Sequence, residues 1–111
     1  MERITVEGAI AELAAKATIY RSLFRHGTLD VGFYAPRGGD PQQPHDRDEV
    51  YVIASGRGTF FQAGERHPFE PGEVLFVPAG AEHRFEDFSD DFGAWVFFYG
   101  PTGGERGATD A

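Results

Sequence analysis

Four side chains of this 111-residue chain have the chemistry to coordinate a divalent metal ion: Gln43, His45, Glu49 and His83. Neutral imidazole supplies a nitrogen ligand, a carboxylate supplies a charged oxygen, and an amide supplies a neutral oxygen. His45 and Glu49 are four residues apart, so a regular strand places them on one face. Two histidines and one carboxylate leave coordination positions open, which is how a reactive metal site is built. Spacing alone does not bring His83 to this group.

Composition excludes several other kinds of site. The chain has no cysteine, so disulfides, thiolate metal sites and cysteine nucleophiles are ruled out. Its formal net charge is −8, without a basic patch, and such a surface repels the phosphate backbone of nucleic acids. No apolar run approaches the roughly 18 residues of a membrane span, and the first residues lack the pattern of a secretory signal. We therefore expect a cytoplasmic protein that binds neither nucleic acid nor membrane.

The elements that position these residues are predicted to be short strands after one helix. Residues 6–16 (VEGAIAELAAK) carry Ile10 and Leu13 at helical spacing, and Thr5 can cap the start of a helix that packs outside a sheet. Gly- and Pro-containing turns then separate seven strand-like segments: Ile19–Arg25, Leu29–Ala35, Glu49–Ala54, Gly58–Ala63, Glu73–Val77, His83–Glu86 and Ala94–Tyr99. Seven short strands are typical of a β-sandwich or barrel.

Residues 72–87 resemble the second sequence motif of the cupin family. That motif runs G-x5-P-x-G-x2-H-x3-N, and the chain reads Gly72-EVLFV-Pro78-Ala79-Gly80-AE-His83-RFE-Asp87. Every position fits except the last, where Asp87 replaces asparagine.

The first cupin motif is present in part. It runs approximately G-x5-H-x-H-x3,4-E-x6-G, and the chain reads Gly38-GDPQ-Gln43-Pro44-His45-DRD-Glu49-VYVIAS-Gly56. The match holds from the second histidine onward, and Gly38 is one residue too close. The first histidine position holds Gln43, which is similar to the glutamine ligand of the zinc-dependent mannose phosphate isomerases, also cupins.

The chain thus resembles a small single-domain cupin. The resemblance implies an all-β fold, a double-stranded β-helix or jelly-roll barrel with a metal in its mouth, preceded here by the short helix. We expect one domain over residues 1–100, with the barrel at 17–100, and a flexible tail over 101–111. The implied ligands are His45, Glu49 and His83, with Gln43 as a further donor, for Zn, Fe, Mn or Ni. Since exposed sheet edges need covering and cupins often pair, we also expect a homodimer.

Strand periodicity assigns some residues to the barrel interior. Tyr51 and Ile53 share a face with Glu49, and Phe85 shares a face with His83, so these three side chains are predicted to line the pocket. Further candidates for the pocket wall, whose faces periodicity leaves open, are Tyr34, Phe61, Trp95 and Phe97. Arg47, between two candidate ligands, is either a solvated edge residue or a group that reaches over the mouth and binds an anionic substrate.

Two functions from different classes remain open. The first is a small metal-dependent enzyme, of oxygenase or isomerase type, acting on a small organic molecule. The second is a non-catalytic module that binds or senses a small-molecule ligand, with or without a metal, because some cupins keep their motif residues as ordinary polar groups. An open metal site beside a solvent-reachable cavity favours the first, and a dry, metal-free barrel favours the second.

Overall fold

The computed structural model describes residues 3–106, which form one helix and eight strands. In chain order these elements are α1 (Val6–Ala15), β1 (Tyr20–His26), β2 (Leu29–Tyr34), β3 (Asp48–Ser55), β4 (Gly58–Gln62), β5 (Glu65–Phe69), β6 (Val74–Val77), β7 (His83–Glu86) and β8 (Gly93–Tyr99). All seven strands expected from the sequence are present, and each begins and ends within one residue of its expected position. The all-β fold with a short N-terminal helix is therefore confirmed.

The strands form two antiparallel sheets. The larger has the order β1-β2-β8-β3-β6 and the smaller the order β5-β4-β7. Alternate side chains of both sheets meet in one aromatic core, which includes Tyr51, Phe60, Phe69, Phe85 and Phe92. Strands that share the inner face carry the polar candidates as well, so the core and the candidate site are continuous.

Helix α1 covers part of the outer face of the larger sheet. The Thr5 hydroxyl caps its start by accepting a hydrogen bond from the Gly8 amide at 3.0 Å. Ala9 and Leu13 are buried against Phe33 and its neighbours, as expected for a helix outside a sheet. Ile10, in contrast, is exposed, so the buried stripe of the helix lies one position away from it.

Strand β5 was not expected from the sequence. The sequence analysis places no strand between Gly58–Ala63 and Glu73–Val77, where Pro68 and the surrounding charged residues interrupt any apolar alternation. In the structure β5 is one of the two edge strands of the smaller sheet, and Pro68 pairs with Thr59. A proline is tolerated on an edge strand because its missing N–H need not serve a ladder, and exposure explains the polar composition.

The start of the expected tail lies against the barrel. The Gly103 amide donates to the Asp46 carbonyl at 2.6 Å, and the Glu105 amide donates to the Asp48 carboxylate at 2.7 Å. Residues 107–111, the remainder of the expected tail, lie outside the described residues. Among residues 3–106, no helix has the length and apolar character needed to cross a membrane.

Candidate metal centre

Three elements bring the candidate ligands to one end of the barrel. Glu49 is the second residue of β3, His83 is the first residue of β7, and His45 lies in the loop before β3. The two sheets face each other, so β3 and β7 present Glu49 and His83 across the core. The loop that carries His45 is held by a hydrogen bond of 2.7 Å from the Gly80 amide to the His45 carbonyl. The turn Pro78–Gly80 therefore helps to place a residue from the other motif.

The three side chains converge closely enough to share one ion. Their potential ligand atoms all lie within 4.8 Å of one another. Oε1 of Glu49 is 3.3 Å from Nε2 of His83 and 3.8 Å from Nε2 of His45. The side chains of Glu49 and His83 are almost completely buried, whereas that of His45 is about one-third exposed, at 34%. The group is thus closed on the barrel side and open through His45.

The hydrogen bonding of His83 leaves one ring nitrogen available as a ligand. Its Nδ1 lies 2.9 Å from the Ala81 carbonyl, and this contact places the proton on Nδ1. Nε2 of His83 and Oε1 of Glu49 are buried and have no hydrogen-bond partner among the described residues. Buried polar atoms are normally paired. Two orphaned acceptors that face each other fit a divalent cation, and a backbone carbonyl that orients the ligating histidine is typical of metal sites.

Burial disfavours the charged form of His83, but its neighbours act more strongly in the opposite direction. The Glu49 carboxylate and the Ala81 carbonyl stabilise the imidazolium, so the pKa of His83 is raised above its ordinary value. The pair therefore attracts positive charge, whether a proton or a metal ion.

The amide at this site comes from Gln42, whereas Gln43 is exposed. Oε1 of Gln42 lies 3.3 Å from Nε2 of His45 and accepts a hydrogen bond of 2.7 Å from the Tyr51 hydroxyl. The sequence interpretation assigned this role to Gln43, one residue later. The two glutamines lie in a loop, where no strand periodicity decides which side chain faces the core.

The orientation of Gln42 is set by Asp40. The Asp40 carboxylate accepts hydrogen bonds from Nε2 of Gln42 at 2.7 Å and from the amides of Gln42 at 3.1 Å and Phe85 at 2.7 Å. It also accepts one from the Tyr34 hydroxyl. Since Nε2 of Gln42 is directed to Asp40, its Oε1 points toward Tyr51 and His45. Asp40 thus ties the loop before β3 to β2 and β7.

A cavity of about 230 Å³ opens beside the three candidate ligands. Its lining includes His45 and Glu49 and is otherwise mainly apolar and aromatic: Ile19, Tyr20, Tyr34, Pro41, Gln42, Tyr51, Val96 and Phe98. The ring of Phe98 meets that of His45 edge-on, at 5.0 Å between centroids. A mostly apolar cavity with a few convergent polar groups is typical of a small-molecule site.

The structure places four of the proposed wall residues inside the barrel. Tyr34, Tyr51, Ile53 and Phe85 all belong to the core between the sheets, and the two tyrosines line the cavity. Ile53 and Phe85 lie deeper and do not line it.

Three other proposed wall residues lie on outer faces instead. Phe61 alternates with the inward Phe60 and packs under the guanidinium groups of Arg66 and Arg84, 4.6 and 4.3 Å from its ring centroid. Trp95 meets the outward Phe33 edge-on at 5.0 Å, beneath helix α1, and Phe97 shares its side of the strand. Both sides of β8 are apolar because the helix covers one of them, so alternation in the sequence does not identify the inner side.

Arg47 does not reach over the cavity. Its guanidinium donates to the backbone carbonyl oxygens of Gly100, at 3.1 Å, and Thr28. The cavity residues that sequence reasoning missed include Gln42, Tyr20 and Phe98. Phe98 shares a face with Ala94 and Val96, but both sides of β8 are apolar, so the sequence carries no signal that this face is the inner one.

The fold, with its candidate metal ligands at one end of the barrel, is that of the cupin class. The family model for the cupin domain matches residues 31–99, so the chain belongs to the cupin family. Over 103 residues the chain is 36% identical to the uncharacterised protein SCO3923 of Streptomyces coelicolor, covering 91% of this chain and 98% of that protein.

Solved structures show the same fold. A cupin 2 conserved barrel domain protein from Salinispora arenicola has a TM-score of 0.66 at 18% identity and covers 90% of this chain and 89% of its own. A chain from the crystal structures of the DMSP lyases RdDddP and RnDddQII has a TM-score of 0.55 at 28% identity. That match covers 67% of this chain and 38% of the other.

Proposed function

We propose that this cupin binds a divalent metal ion through His45, Glu49 and His83 and acts as a small metal-dependent enzyme on a small organic molecule. One observation carries the proposal. Oε1 of Glu49 and Nε2 of His83 face each other, buried and without hydrogen-bond partners among the described residues. Both are acceptors when the imidazole is neutral, so a cation between them would satisfy both.

The donor set supports a reactive ion over a purely structural one. Two imidazoles and one carboxylate suit Zn, Fe, Mn or Ni, and structural zinc sites instead enclose the ion with four protein ligands. The bound ion would supply Lewis acidity, with oxygenase or isomerase chemistry depending on the metal. The structural similarity to a chain from the DMSP lyase structures supports the proposal of an enzyme that acts on a small molecule.

The chain's own residues would orient and enclose the ligand. Ala81 holds His83 through Nδ1, and Asp40 holds the Gln42 amide so that its oxygen faces the metal-binding residues. We assign to Gln42 the supporting role that the sequence interpretation gave to Gln43. The apolar walls of the cavity exclude water from part of the ligand, which strengthens polar interactions at the site.

Metal content of the purified protein tests the proposal. Mass spectrometry, before and after dialysis against EDTA and reloading with Zn²⁺, Mn²⁺, Fe²⁺ or Ni²⁺, should give about one ion per chain for at least one metal. His83→Ala should lose it, whereas His67→Ala, which removes an exposed histidine of β5, should retain it. Equal, negligible content in all three proteins would leave the non-catalytic binding module as the function.

A homodimer is a second part of the proposal. Val74 and Phe76 on edge strand β6 are 66% and 50% exposed, and they pair with Val52 and Val50 of β3 on the same outer face. Helix α1 covers a different part of this sheet. Because each chain carries a net charge of −8, two copies repel each other least where they meet through an uncharged, apolar face. We therefore propose that the dimer contact is formed by β6.

A further inference from the structure

Three tyrosines line the cavity, and within the described part of the chain only the hydroxyl of Tyr20 makes no hydrogen bond. The Tyr34 hydroxyl donates to Asp40, and the Tyr51 hydroxyl donates to Gln42. For the Tyr20 hydroxyl, residues 3–106 offer no hydrogen-bond partner, although the residue lines the cavity. An unengaged donor in a largely apolar wall is suited to meet an acceptor on a ligand.

The position of Tyr20 is built into the sheet. Its ring crosses from β1 over Gly32 of β2, where an added Cβ would lie 2.6 Å from the hydroxyl and 2.8 Å from a ring carbon. Gly32 pairs with Val96 of β8, which also lines the cavity. Only a residue without a side chain leaves room for the ring, so Gly32 and Tyr20 form one wall together.

The charges around the cavity disfavour a negative charge on the part of the ligand that lies away from the proposed metal ligands. None of the ten lining residues is Lys or Arg, and Glu49 is among them. Asp40 lies directly behind Tyr34 and Gln42. Burial, with the charges of Asp30 and Glu49, raises the pKa of Tyr20 to about 12, so this phenol remains a neutral donor. Arg47, the cation expected to attract an anion, is held by two backbone carbonyls.

We propose that Tyr20 is a ligand-binding residue that donates a hydrogen bond to a carbonyl or hydroxyl oxygen of a small, mainly apolar molecule carrying no anionic group at that end. The proposal rests on the function proposed above, because it names the ligand class for the same cavity. It makes Tyr20 a determinant of specificity, distinct from the three candidate metal ligands.

Three aromatic probes of similar size test the inference: acetophenone, with a neutral acceptor; ethylbenzene, a mainly apolar analogue with none; and benzoate, with an anion. Dissociation constants come from NMR titration of isotope-labelled protein dialysed against EDTA, so that benzoate cannot bind a metal. Acetophenone should bind more tightly than either of the others. Tyr20→Phe should weaken the binding of acetophenone by about five- to tenfold, which corresponds to the loss of one hydrogen bond, and leave the affinity for ethylbenzene unchanged.

Tyr99→Phe is the matched control, because Tyr99 is a tyrosine of β8 that does not line the cavity. It should leave the acetophenone affinity within about twofold of the wild-type value. Benzoate binding as tightly as acetophenone, Tyr20→Phe without effect, or no binding of any probe would each overturn the inference. Metal stoichiometry, measured on the same protein, distinguishes failure of this inference from failure of the proposed function. If the metal binds but the probes are not discriminated, only the proposed ligand class is refuted.

Discussion

Nε2 of His83 lies 3.3 Å from Oε1 of Glu49, and neither atom has a hydrogen-bond partner in the part of the chain described. Leaving a buried polar atom unpaired costs about 1–3 kcal/mol, so the core of this barrel carries a localised destabilisation. The strands that present the two atoms are otherwise packed in an aromatic core. A cation between them would remove that cost, which links the proposed function to the stability of the fold.

The first prediction concerns stabilisation by metal. Zn²⁺ at about 100 times its Kd should stabilise the wild-type protein by about 2.7 kcal/mol, a Tm increase on the order of 10–20 °C for a domain of this size. Glu49→Gln should abolish the increase, because it removes the one negative charge among the proposed ligands. Glu65→Gln, at an exposed carboxylate of β5, should preserve it. Equal increases in the two variants, measured by differential scanning calorimetry, would contradict the role of Glu49.

The second prediction separates the two neighbouring glutamines. Gln42→Ala should weaken metal binding by about tenfold, because residues that support metal ligands commonly contribute that much. Gln43→Ala should have no effect, since its side chain is exposed. Titration of the EDTA-treated protein with Zn²⁺ in a calorimeter measures both affinities. A loss confined to Gln43→Ala would restore the assignment made from the motif.

The third prediction concerns pH. Metal binding requires neutral imidazole, and the raised pKa of His83 means that protons compete at a higher pH than for an ordinary histidine, which titrates near about 6.5. Metal affinity should therefore fall as pH decreases, beginning above the usual histidine range. Competition with a chelator of known affinity measures it. If the metal affinity does not change with pH across this range, His83 is not a ligand.

Metal-free protein should show the opposite trend. A group with a raised folded-state pKa contributes stability that is complete below its unfolded pKa of about 6.5 and is lost as pH rises through the folded value. The contribution of His83 to the free energy of unfolding should thus decline with increasing pH. His83→Ala is the control, in which this component of the pH dependence should disappear from urea unfolding curves.

The fourth prediction tests the apolar face on β6. Phe76→Glu should shift the protein to monomer in sedimentation velocity at micromolar concentration, because a charge replaces an apolar contact at the proposed interface. Ile10→Glu is a matched control: Ile10 is 46% exposed, similar to Phe76, but lies on helix α1. A monomeric wild-type protein would refute the dimer, and monomer formation by Ile10→Glu alone would move the interface to the helix.

Much of the fold was predictable from local features of the sequence. Seven strands were located because Gly- and Pro-containing turns interrupt short β-prone segments, and the backbone at such turns restricts which residues fit. The ligand candidates His45, Glu49 and His83 were identified by motif spacing, and the structure brings their side chains together. Strand β5 was missed because an edge strand has no buried alternation to reveal it, and Pro68 argues locally against a strand.

The facing of particular side chains depended on tertiary structure. Trp95 and Phe97 face outward and Phe98 inward, yet β8 is apolar on both sides because helix α1 packs on its outer face. Gln42 turns inward because Asp40 from the same loop holds its amide, while Gln43 remains outside. Periodicity can say that two residues share a face. Which face is buried depends on the element that packs against it. In a loop, side chains do not alternate regularly, so the sequence does not show which of them point inward.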